Sequence, residues 1–328
     1  LASLNNMPTA VPSDGWGQLL VYRKDLFDAA GLAAPDSYAN IEAAAAALHD
    51  PANNLFGITA ATKAGEVFTQ QTFEQFALAN GCNLFAADGV TLDLDSTNCA
   101  EAVDFYVNLM RNYSPGGGQD VVTTRAAYFA GQAAMIVWSP FILDEMAGLR
   151  DSAFPACDEC AADPAFLASA SGIVTAFSGP SGAPAQYGQT SYMGIGTGAN
   201  VPAAQAFIEF WLSDGYLDWL STSPEGKFPM RRGNADNATA YVEGWQTLST
   251  GVDRKAPLSD FYPQETIDAI AAGADNAARW PIGVAQGVVY TELQFPALIA
   301  DLVASGGSAA SELGDLVAEV AASVELAS

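Results

Sequence analysis

Histidine and positive charge are scarce in this chain. Its 328 residues include one histidine, His49, and 12 Lys plus Arg against 37 Asp plus Glu, which gives a formal net charge of −25. A single histidine argues against multi-histidine metal sites and most histidine-assisted nucleophiles. Nucleic acid is disfavoured as a partner, because affinity for it comes largely from Lys and Arg that displace phosphate counterions. An anionic membrane surface is disfavoured for the same reason.

Common catalytic and membrane-spanning signatures are also missing. The sequence has no G-x-S-x-G elbow and no G-x-x-x-x-G-K-S/T loop. Gly194, Gly196 and Gly198 follow a predicted strand but lack the G-x-G-x-x-G spacing of a dinucleotide site. No stretch reaches the ~18 consecutive apolar residues that a membrane span needs. We therefore expect no catalytic residue and no cofactor.

Acidic side chains are abundant but form no recognisable metal motif. Asp93, Asp95 and Asn98 stand close together in the sequence but lack the glycine and the terminal glutamate of an EF-hand loop, so we expect no bound metal. Paired carboxylates of a glycoside hydrolase stay an open alternative. The 37 acidic residues leave many candidates, and only their spacing in the fold would identify a pair.

The four cysteines, Cys82, Cys99, Cys157 and Cys160, are an even number, which is typical of disulfides in an oxidising compartment. Three pairings are possible, and the simplest joins Cys82 to Cys99 and Cys157 to Cys160. A redox motif or half of a zinc site is the alternative for Cys157-Asp-Glu-Cys160. A zinc ribbon needs two such pairs, and acidic neighbours disfavour a reactive thiolate. The sequence therefore favours two structural disulfides.

Short apolar runs alternate with segments of helical spacing, which predicts an α/β protein. Residues 18–22 and 134–138 are predicted strands, and residues 68–79 a helix. Asp88-Gly89 predicts the two-residue turn of a hairpin. Asn98 with Glu101 predicts a capping box at the start of the next helix.

Aromatic residues occur at strand ends and in turn-rich segments, where α/β proteins build their clefts. Aromatic rings pack on the C–H faces of neutral, hydroxylated ligands, and nearby amides such as that of Gln71 satisfy the hydroxyls. Packing in the core is the alternative for each of them. These aromatic residues are Trp16, Phe68, Trp138, Phe141, Tyr192 and Trp280.

The order of several segments resembles the family 1 extracellular solute-binding proteins of ABC importers, which include maltose-binding and glycerol-phosphate-binding proteins. Residues 16–27, WGQLLVYRKDLF, are similar to the family's strand followed by "YNKDLF", and Gly31-Leu32 with Pro35 to its "AGL…P" continuation. Residues 128–135, YFAGQAAM, resemble the "F..GKAAM" segment, and residues 139–141, SPF, the "GPW" segment. The helices at 203–220 resemble "A..F..FL.S.E...W".

This resemblance implies a periplasmic-binding-protein-like type II fold, in which two α/β lobes close on a ligand about hinge crossings. The crossings would fall at 10–17, at 188–196 and near 229–236. The family has further residues before the Trp16 segment, so the N-terminal lobe is expected to be incomplete here. Residues 1–190 would be mainly the C-terminal-type lobe, 191–232 a segment of the other lobe, and 233–328 the return.

The resemblance also suggests which side chains contact the ligand. Trp16 and Tyr192 lie at the first two crossings, Phe68 and Gln71 on the contact helix, and Phe141 at the cleft aromatic of "GPW". The C-terminal loop region supplies the last contacts. The full predicted set is Trp16, Phe68, Gln71, Trp138, Phe141, Tyr192, Trp280 and Gln286.

The implied function is capture, without catalysis, of a carbohydrate or polyol by a monomer outside the cytoplasm, for delivery to an ABC permease. The expected location is periplasmic or extracellular, and attachment by a lipid anchor that precedes the given residues is one option. The alternatives are a secreted glycoside hydrolase, a binding protein for a cationic or peptidic ligand, and a fragment that serves only in assembly. Arg231, Arg232 and Arg279 leave a phosphorylated polyol open, because guanidinium groups suit phosphate.

Overall fold

Strands and helices alternate in the first part of the chain, and helices dominate the last part. The computed structural model describes residues 2–4, 7–278, 280, 283–307 and 309–327. The strands in these ranges are β1 (Ala2–Leu4), β2 (Met7–Gly17), β3 (Leu19–Arg23), β4 (Met135–Trp138), β5 (Ser171–Val174), β6 (Gly188–Gly194), β7 (Phe228–Pro229), β8 (Ser249–Thr250) and β9 (Ala256–Pro257). The helices are α1 (Lys24–Ala30), α2 (Tyr38–Leu48), α3 (Val67–Ala79), α4 (Thr97–Tyr113), α5 (Val121–Phe129), α6 (Ile142–Met146), α7 (Phe166–Ala170), α8 (Val201–Trp211), α9 (Tyr216–Leu220), α10 (Ala240–Gln246), α11 (Gln264–Asn276), α12 (Val284–Glu292), α13 (Gln294–Ser305) and α14 (Ala309–Ala327).

The chain divides into two compact units. The larger unit comprises Gln18–Trp138, Pro155–Tyr187 and Ala278–Ser328, and the smaller unit comprises Leu1–Gly17, Ser139–Phe154 and Gly188–Ala277. The sequence placed boundaries after residues 190 and 232, whereas the structure assigns residues 233–277 to the smaller unit. The reason is packing: α11 lies against β2, and Trp245 of α10 packs on Phe228 of β7, with ring centroids 4.7 Å apart.

The larger unit is built around an antiparallel sheet in the order β4–β3–β5. Leu19 of β3 pairs with Trp138 of β4, and Leu20 pairs with Val174 of β5. The residues of β3 and β4 are almost all buried, which explains why the sequence shows continuous apolar runs there instead of alternation. Helices α2, α3, α4 and α12–α14 complete one core around fully buried Phe73, Phe76 and Tyr106.

Both predicted disulfides are present in the larger unit. Cys82 bonds to Cys99 and Cys157 bonds to Cys160, which confirms the simplest pairing. The Cys82–Cys99 bond joins the segment after α3 to the first turn of α4. Gly81, directly before Cys82, has a φ of 70°, a conformation that glycine adopts without steric cost.

The segment between Cys82 and Cys99 forms less of a hairpin than predicted. The N–H of Ala86 donates to the carbonyl of Thr91, which leaves a four-residue loop where a two-residue turn was expected. The Asp88 carboxylate accepts the N–H groups of Val90 and Thr91 at 2.9 Å each. These bonds lower the pKa of Asp88 to about 2. The Asp-Gly prediction was wrong because the aspartate side chain caps a longer loop.

The predicted capping box at Asn98 was also wrong. Ser96 caps α4 by accepting the N–H of Cys99 at 3.3 Å. Glu101 accepts a hydrogen bond from Asn80 at 3.2 Å, so its carboxylate is directed to the segment after α3. A tertiary partner therefore replaces the local reciprocal bond that the sequence pattern favoured.

The smaller unit has a sheet in which β2 pairs with β1, β6 and β7. Strands β2, β6 and β7 coincide in part with the three predicted crossings. Gly15 of β2 pairs with both Thr190 of β6 and Phe228 of β7. A Cβ at Gly15 would lie 2.9 Å from the Gln189 carbonyl oxygen and from Met230 Cε, so this approach requires glycine.

Two apolar helical regions differ in burial. Helix α8 in the smaller unit has no buried residue, and Phe207 and Phe210 are 50% and 55% exposed. In the larger unit, α12 and α13 contribute Val289, Phe295 and Ile299 to the core. Among the described residues no single helix is long and apolar enough to cross a membrane, and α12 with α13 reaches that length and composition only across a bend of 49°.

Candidate functional site

Helix α3 in the larger unit carries two of the predicted contact residues, Phe68 and Gln71. The ring of Phe68 meets that of Trp138 edge-on, with centroids 4.7 Å apart and planes at 68°. Trp138 ends β4 and is 5% exposed, whereas Phe68 is half-buried. Phe68 is therefore the accessible member of this pair, and Trp138 supports it from the core side.

One turn further along α3, the carboxylate of Glu74 is fully buried and accepts three hydrogen bonds. Gln70 Nε2 donates to Glu74 Oε1 at 2.6 Å. Trp280 Nε1 and the Tyr290 hydroxyl donate to Glu74 Oε2 at 2.8 and 2.5 Å. The donors are all neutral and come from three places in the chain, which gives the carboxylate one fixed position.

The network continues from Tyr290 to Tyr187, whose hydroxyl oxygens are 3.1 Å apart. The side chain of Gln71 hydrogen-bonds Tyr187 in turn. Burial raises the pKa of both phenols, so they remain neutral donors at physiological pH. Gln71 and Trp280, both predicted to contact ligand, are thus connected through Glu74.

The same burial raises the pKa of Glu74 to about 7, although the bonds from Tyr290, Gln70 and Trp280 oppose the shift. Desolvation disfavours the charged carboxylate, and hydrogen bonds to it favour the charged form. The desolvation effect is larger here. Glu74 therefore changes protonation close to neutral pH.

Trp280 and Gln286 lie in the larger unit as well. The indole of Trp280 packs edge-on against Phe85, with centroids 5.7 Å apart, and is partly buried. Because its N–H is directed to Glu74, what Trp280 offers a ligand is its ring and not its donor. Gln286 is half-buried on α12. Five of the eight predicted residues therefore belong to the larger unit.

Phe141 is one of three predicted residues in the smaller unit. Its ring lies on the backbone of Gly226, where a Cβ would be 2.4 Å from Phe141 Cδ1. Lys227 Nζ lies 5.5 Å from the Phe141 ring centroid and 4.2 Å from that of Trp219. The glycine admits the ring, and the ammonium group lies within cation–π range of both aromatics.

Trp16 and Tyr192 are on the sheet of the smaller unit. Trp16 of β2 pairs with Gln189 of β6 and is half-buried. Tyr192 of β6 pairs with Pro12 and is 41% exposed. Both rings are carried by regular strands, which hold them more rigidly than loops do.

A second buried acidic cluster lies in the smaller unit and escaped sequence reasoning. Arg150 Nη2 is 3.0 Å from Asp144 Oδ2 and 3.9 Å from Glu225 Oε1. Thr250 donates a hydrogen bond to the other oxygen of Glu225. Burial raises the pKa of Asp144 and raises that of Glu225 to about 7. Glu225 is fully buried, so this cluster is not a surface on which a ligand can dock.

Metal ligation has no support in the described part of the chain. There, no group of three or more His, Cys, Asp or Glu side chains is arranged to hold a metal ion. His49 lies at the end of α2 with its ring 5.8 Å from that of Phe56 and 5.7 Å from that of Tyr113. It packs as an aromatic residue in this place.

Comparison with solved structures defines the class of fold. A solute-binding protein of an ABC transporter from Agrobacterium radiobacter K84, in complex with ribitol, superposes with a TM-score of 0.70 at 19% identity, covering 98% of this chain and 73% of that one. A solute-binding protein from Thermotoga lettingae TMO, bound with α-D-tagatose, gives 0.70 at 19%, covering 98% and 74%. The chain thus has the periplasmic-binding-protein fold that the resemblance implied.

The sequence comparisons add the family. The family model described as bacterial extracellular solute-binding protein matches residues 1–217. The putative ABC transporter periplasmic-binding protein YcjN of Escherichia coli (strain K12) is 31% identical over 235 residues, which is 70% of this chain and 50% of that protein. The chain thus spans half the length of this curated relative. It belongs to the bacterial extracellular solute-binding proteins, a family of binding proteins and not of enzymes.

Proposed function

We propose that the chain captures a carbohydrate or polyol outside the cytoplasm for an ABC import permease, without covalent chemistry. The observation that carries this proposal is the pairing of half-buried aromatic rings with neutral hydrogen-bonding groups in the larger unit. The ring of Phe68 packs edge-on against that of Trp138, and Gln71 lies on α3 together with Phe68. Rings cover the C–H faces of a sugar, and amides exchange hydrogen bonds with its hydroxyls. The ribitol and tagatose complexes of the structural relatives support the same ligand class.

A cationic or peptidic ligand is less well supported by these contacts. Such a ligand needs a carboxylate that faces it. Glu74, the acid hydrogen-bonded to the predicted contact residue Trp280, is fully buried, and three neutral groups donate to it. Its charge is therefore directed into the protein and not toward a ligand.

The arginines favour an unphosphorylated ligand. The guanidinium of Arg231 donates to the Leu212 carbonyl and lies 5.1 Å from the Tyr241 ring centroid. Arg232 pairs with Asp275. Arg279, the third candidate, lies outside the described residues. The two described guanidinium groups already have partners, and a phosphate would have to displace them.

The remaining parts of the proposal follow from family membership. The extracellular family name supports a location outside the cytoplasm, and the ABC transporter descriptions of the relatives support a permease as the partner. Four finer predictions go beyond family membership: a periplasmic location, a lipid anchor, a monomeric state and capture of the ligand by closure of two lobes.

The test compares Phe68→Ala and Phe141→Ala with Phe207→Ala in titration calorimetry against ribitol, D-mannitol, D-tagatose and maltose. Loss of a stacked ring is expected to weaken binding about 10-fold or more, which corresponds to about 1.4 kcal/mol. Phe207 is the matched control, because it is half exposed on α8 and outside the predicted set. Equal affinities of the wild type and all three variants would contradict the assignment of the aromatic contacts.

A further inference from the structure

We propose that Glu74 is a positioning residue for ligand binding. It fixes the indole of Trp280 directly and the amide of Gln71 through Tyr290 and Tyr187. The inference rests on the proposed function, because Trp280 and Gln71 are predicted ligand contacts. Glu74 itself is fully buried, so it acts on the ligand only through these two side chains.

The geometry leaves Trp280 one orientation. Its indole carries a single donor, Nε1–H, and that donor is used on Glu74 Oε2 at 2.8 Å. The ring edge packs against Phe85. An N–H on one side and a ring contact on the other fix both side-chain torsions, so the exposed part of the indole is presented to a ligand in a defined plane.

The second arm of the network reaches Gln71. Tyr290 donates to Glu74 at 2.5 Å, its hydroxyl is 3.1 Å from that of Tyr187, and Tyr187 bonds the Gln71 side chain. A carboxylate has no proton to donate when ionised, so it forces Tyr290 to be the donor. The hydroxyl of Tyr187 is then the donor to Tyr290, and Gln71 is left to donate its amide to Tyr187. The ionised carboxylate thus sets the direction of every bond in the chain.

A purely structural role explains Glu74 poorly. A buried carboxylate carries a desolvation cost that a neutral side chain of the same shape avoids. What the carboxylate adds is an acceptor with short, directional, charge-assisted bonds to three donors. Among the described residues, the titratable groups that face it are Tyr290 directly and Tyr187 through Tyr290. Protonation of Glu74 is then the event that loosens the network.

The test follows the Trp280 indole and ligand affinity together as the pH changes. The six tryptophans give separate indole N–H signals in ¹⁵N-labelled protein, and Trp280→Phe identifies the relevant one. In the wild type this signal should move with a midpoint near neutral pH. Affinity for the tightest binder among ribitol, D-mannitol, D-tagatose and maltose should rise several-fold between pH 6 and pH 8 as Glu74 ionises.

Glu74→Gln should weaken that affinity about 10-fold at pH 8 and abolish the pH dependence of both readouts. Glu225→Gln is the matched control, a buried glutamate of the smaller unit with no contact to Trp280, and should leave both readouts as in the wild type. A pH-independent Trp280 signal in the wild type, or an unchanged affinity profile in Glu74→Gln, would overturn the positioning role while the proposed function stands. Failure of the wild type to bind any of the four ligands would overturn both.

Discussion

The two units each bury a glutamate whose pKa is raised to about 7, but they satisfy it differently. In the larger unit, Glu74 is held by three neutral donors. In the smaller unit, Glu225 and Asp144 share the guanidinium group of Arg150. The Asp144 oxygen lies closer to the guanidinium than the Glu225 oxygen does. Directional hydrogen bonds stabilise the first carboxylate, and an ion pair stabilises the second. They are therefore expected to fail under different perturbations.

The smaller cluster has more negative than positive groups. Arg150 also lies 3.9 Å from Glu145, and within the described residues Asp144 Oδ1 and Glu225 Oε1 have no hydrogen-bond partner. The Asp144 charge further raises the pKa of Glu225, after burial itself. Arg150 is the cation paired with these acids, and Lys255 adds a weaker attraction to Asp144. The acids still outnumber the cations, so protons must neutralise the remaining charge.

Removal of that cation is the largest expected effect. Arg150→Ala should lower the free energy of unfolding by about 3–5 kcal/mol at pH 8, because it leaves buried Glu225 without its counter-charge and Asp144 with the weaker attraction of Lys255 alone. At pH 5 the loss should be smaller, since the acids can take up protons instead. Urea denaturation at the two pH values measures the difference.

Arg232→Ala is the control for this experiment, since Arg232 makes an exposed pair with Asp275 in the same unit. Exposed pairs contribute about 0–1 kcal/mol. An Arg150→Ala protein as stable as Arg232→Ala at pH 8 would show that the cluster does not depend on its cation.

The second prediction concerns the pH dependence of stability, to which both glutamates contribute. Each has a folded-state pKa above its usual value of 4.5, so the folded state binds protons that the unfolded state has lost. The free energy of unfolding contributed by each group therefore falls as the pH rises from about 4.5 to about 7. Glu74→Gln should remove a decrease on the order of 3 kcal/mol across this window.

Glu225→Gln should likewise remove the contribution of Glu225 to this fall in the free energy of unfolding. The two effects should add in the double variant, because the clusters belong to different units. Stability measured from pH 5 to pH 8 checks both. A wild type whose stability rises steadily across this window, with parallel curves for the variants, would contradict the raised pKa values.

The smallest expected effect tests the neutral network. Tyr290→Phe removes one donor from Glu74 and should cost about 1–2 kcal/mol of unfolding free energy. Tyr241→Phe serves as its control, because that hydroxyl makes one long bond of 3.5 Å to the Ser213 carbonyl. If the two variants lost equal stability, the Glu74 network would not depend on its individual donors.

Local sequence patterns predicted the local parts of the fold. The apolar run at 18–22 became β3, and the simplest of the three cysteine pairings is the one observed. These features depend on neighbours in the sequence. The turn at Asp88 differs from expectation because its carboxylate accepts the N–H of Val90 and caps a longer loop. The start of α4 differs because Ser96, and not Asn98, accepts the N–H of Cys99.

The buried networks could not be predicted in the same way. Glu74 is one of 37 acidic residues, and its donor Trp280 is 206 positions away. Arg150 and Glu225 are likewise brought together by the fold of the smaller unit and by no motif. The weak signal that was available is an acid on a helix whose other residues are neutral, Val67–Ala79.

Thermal shift of the wild-type chain is the most direct test of whether it captures a neutral hydroxylated ligand. The panel contains ribitol, D-mannitol, D-tagatose, maltose, spermidine and short basic peptides. A ligand at 100 times its dissociation constant adds about 2.7 kcal/mol of stability. We expect a rise in Tm with at least one sugar or polyol, and this rise should persist at high salt. A rise with spermidine or a basic peptide alone, lost at high salt, would contradict it.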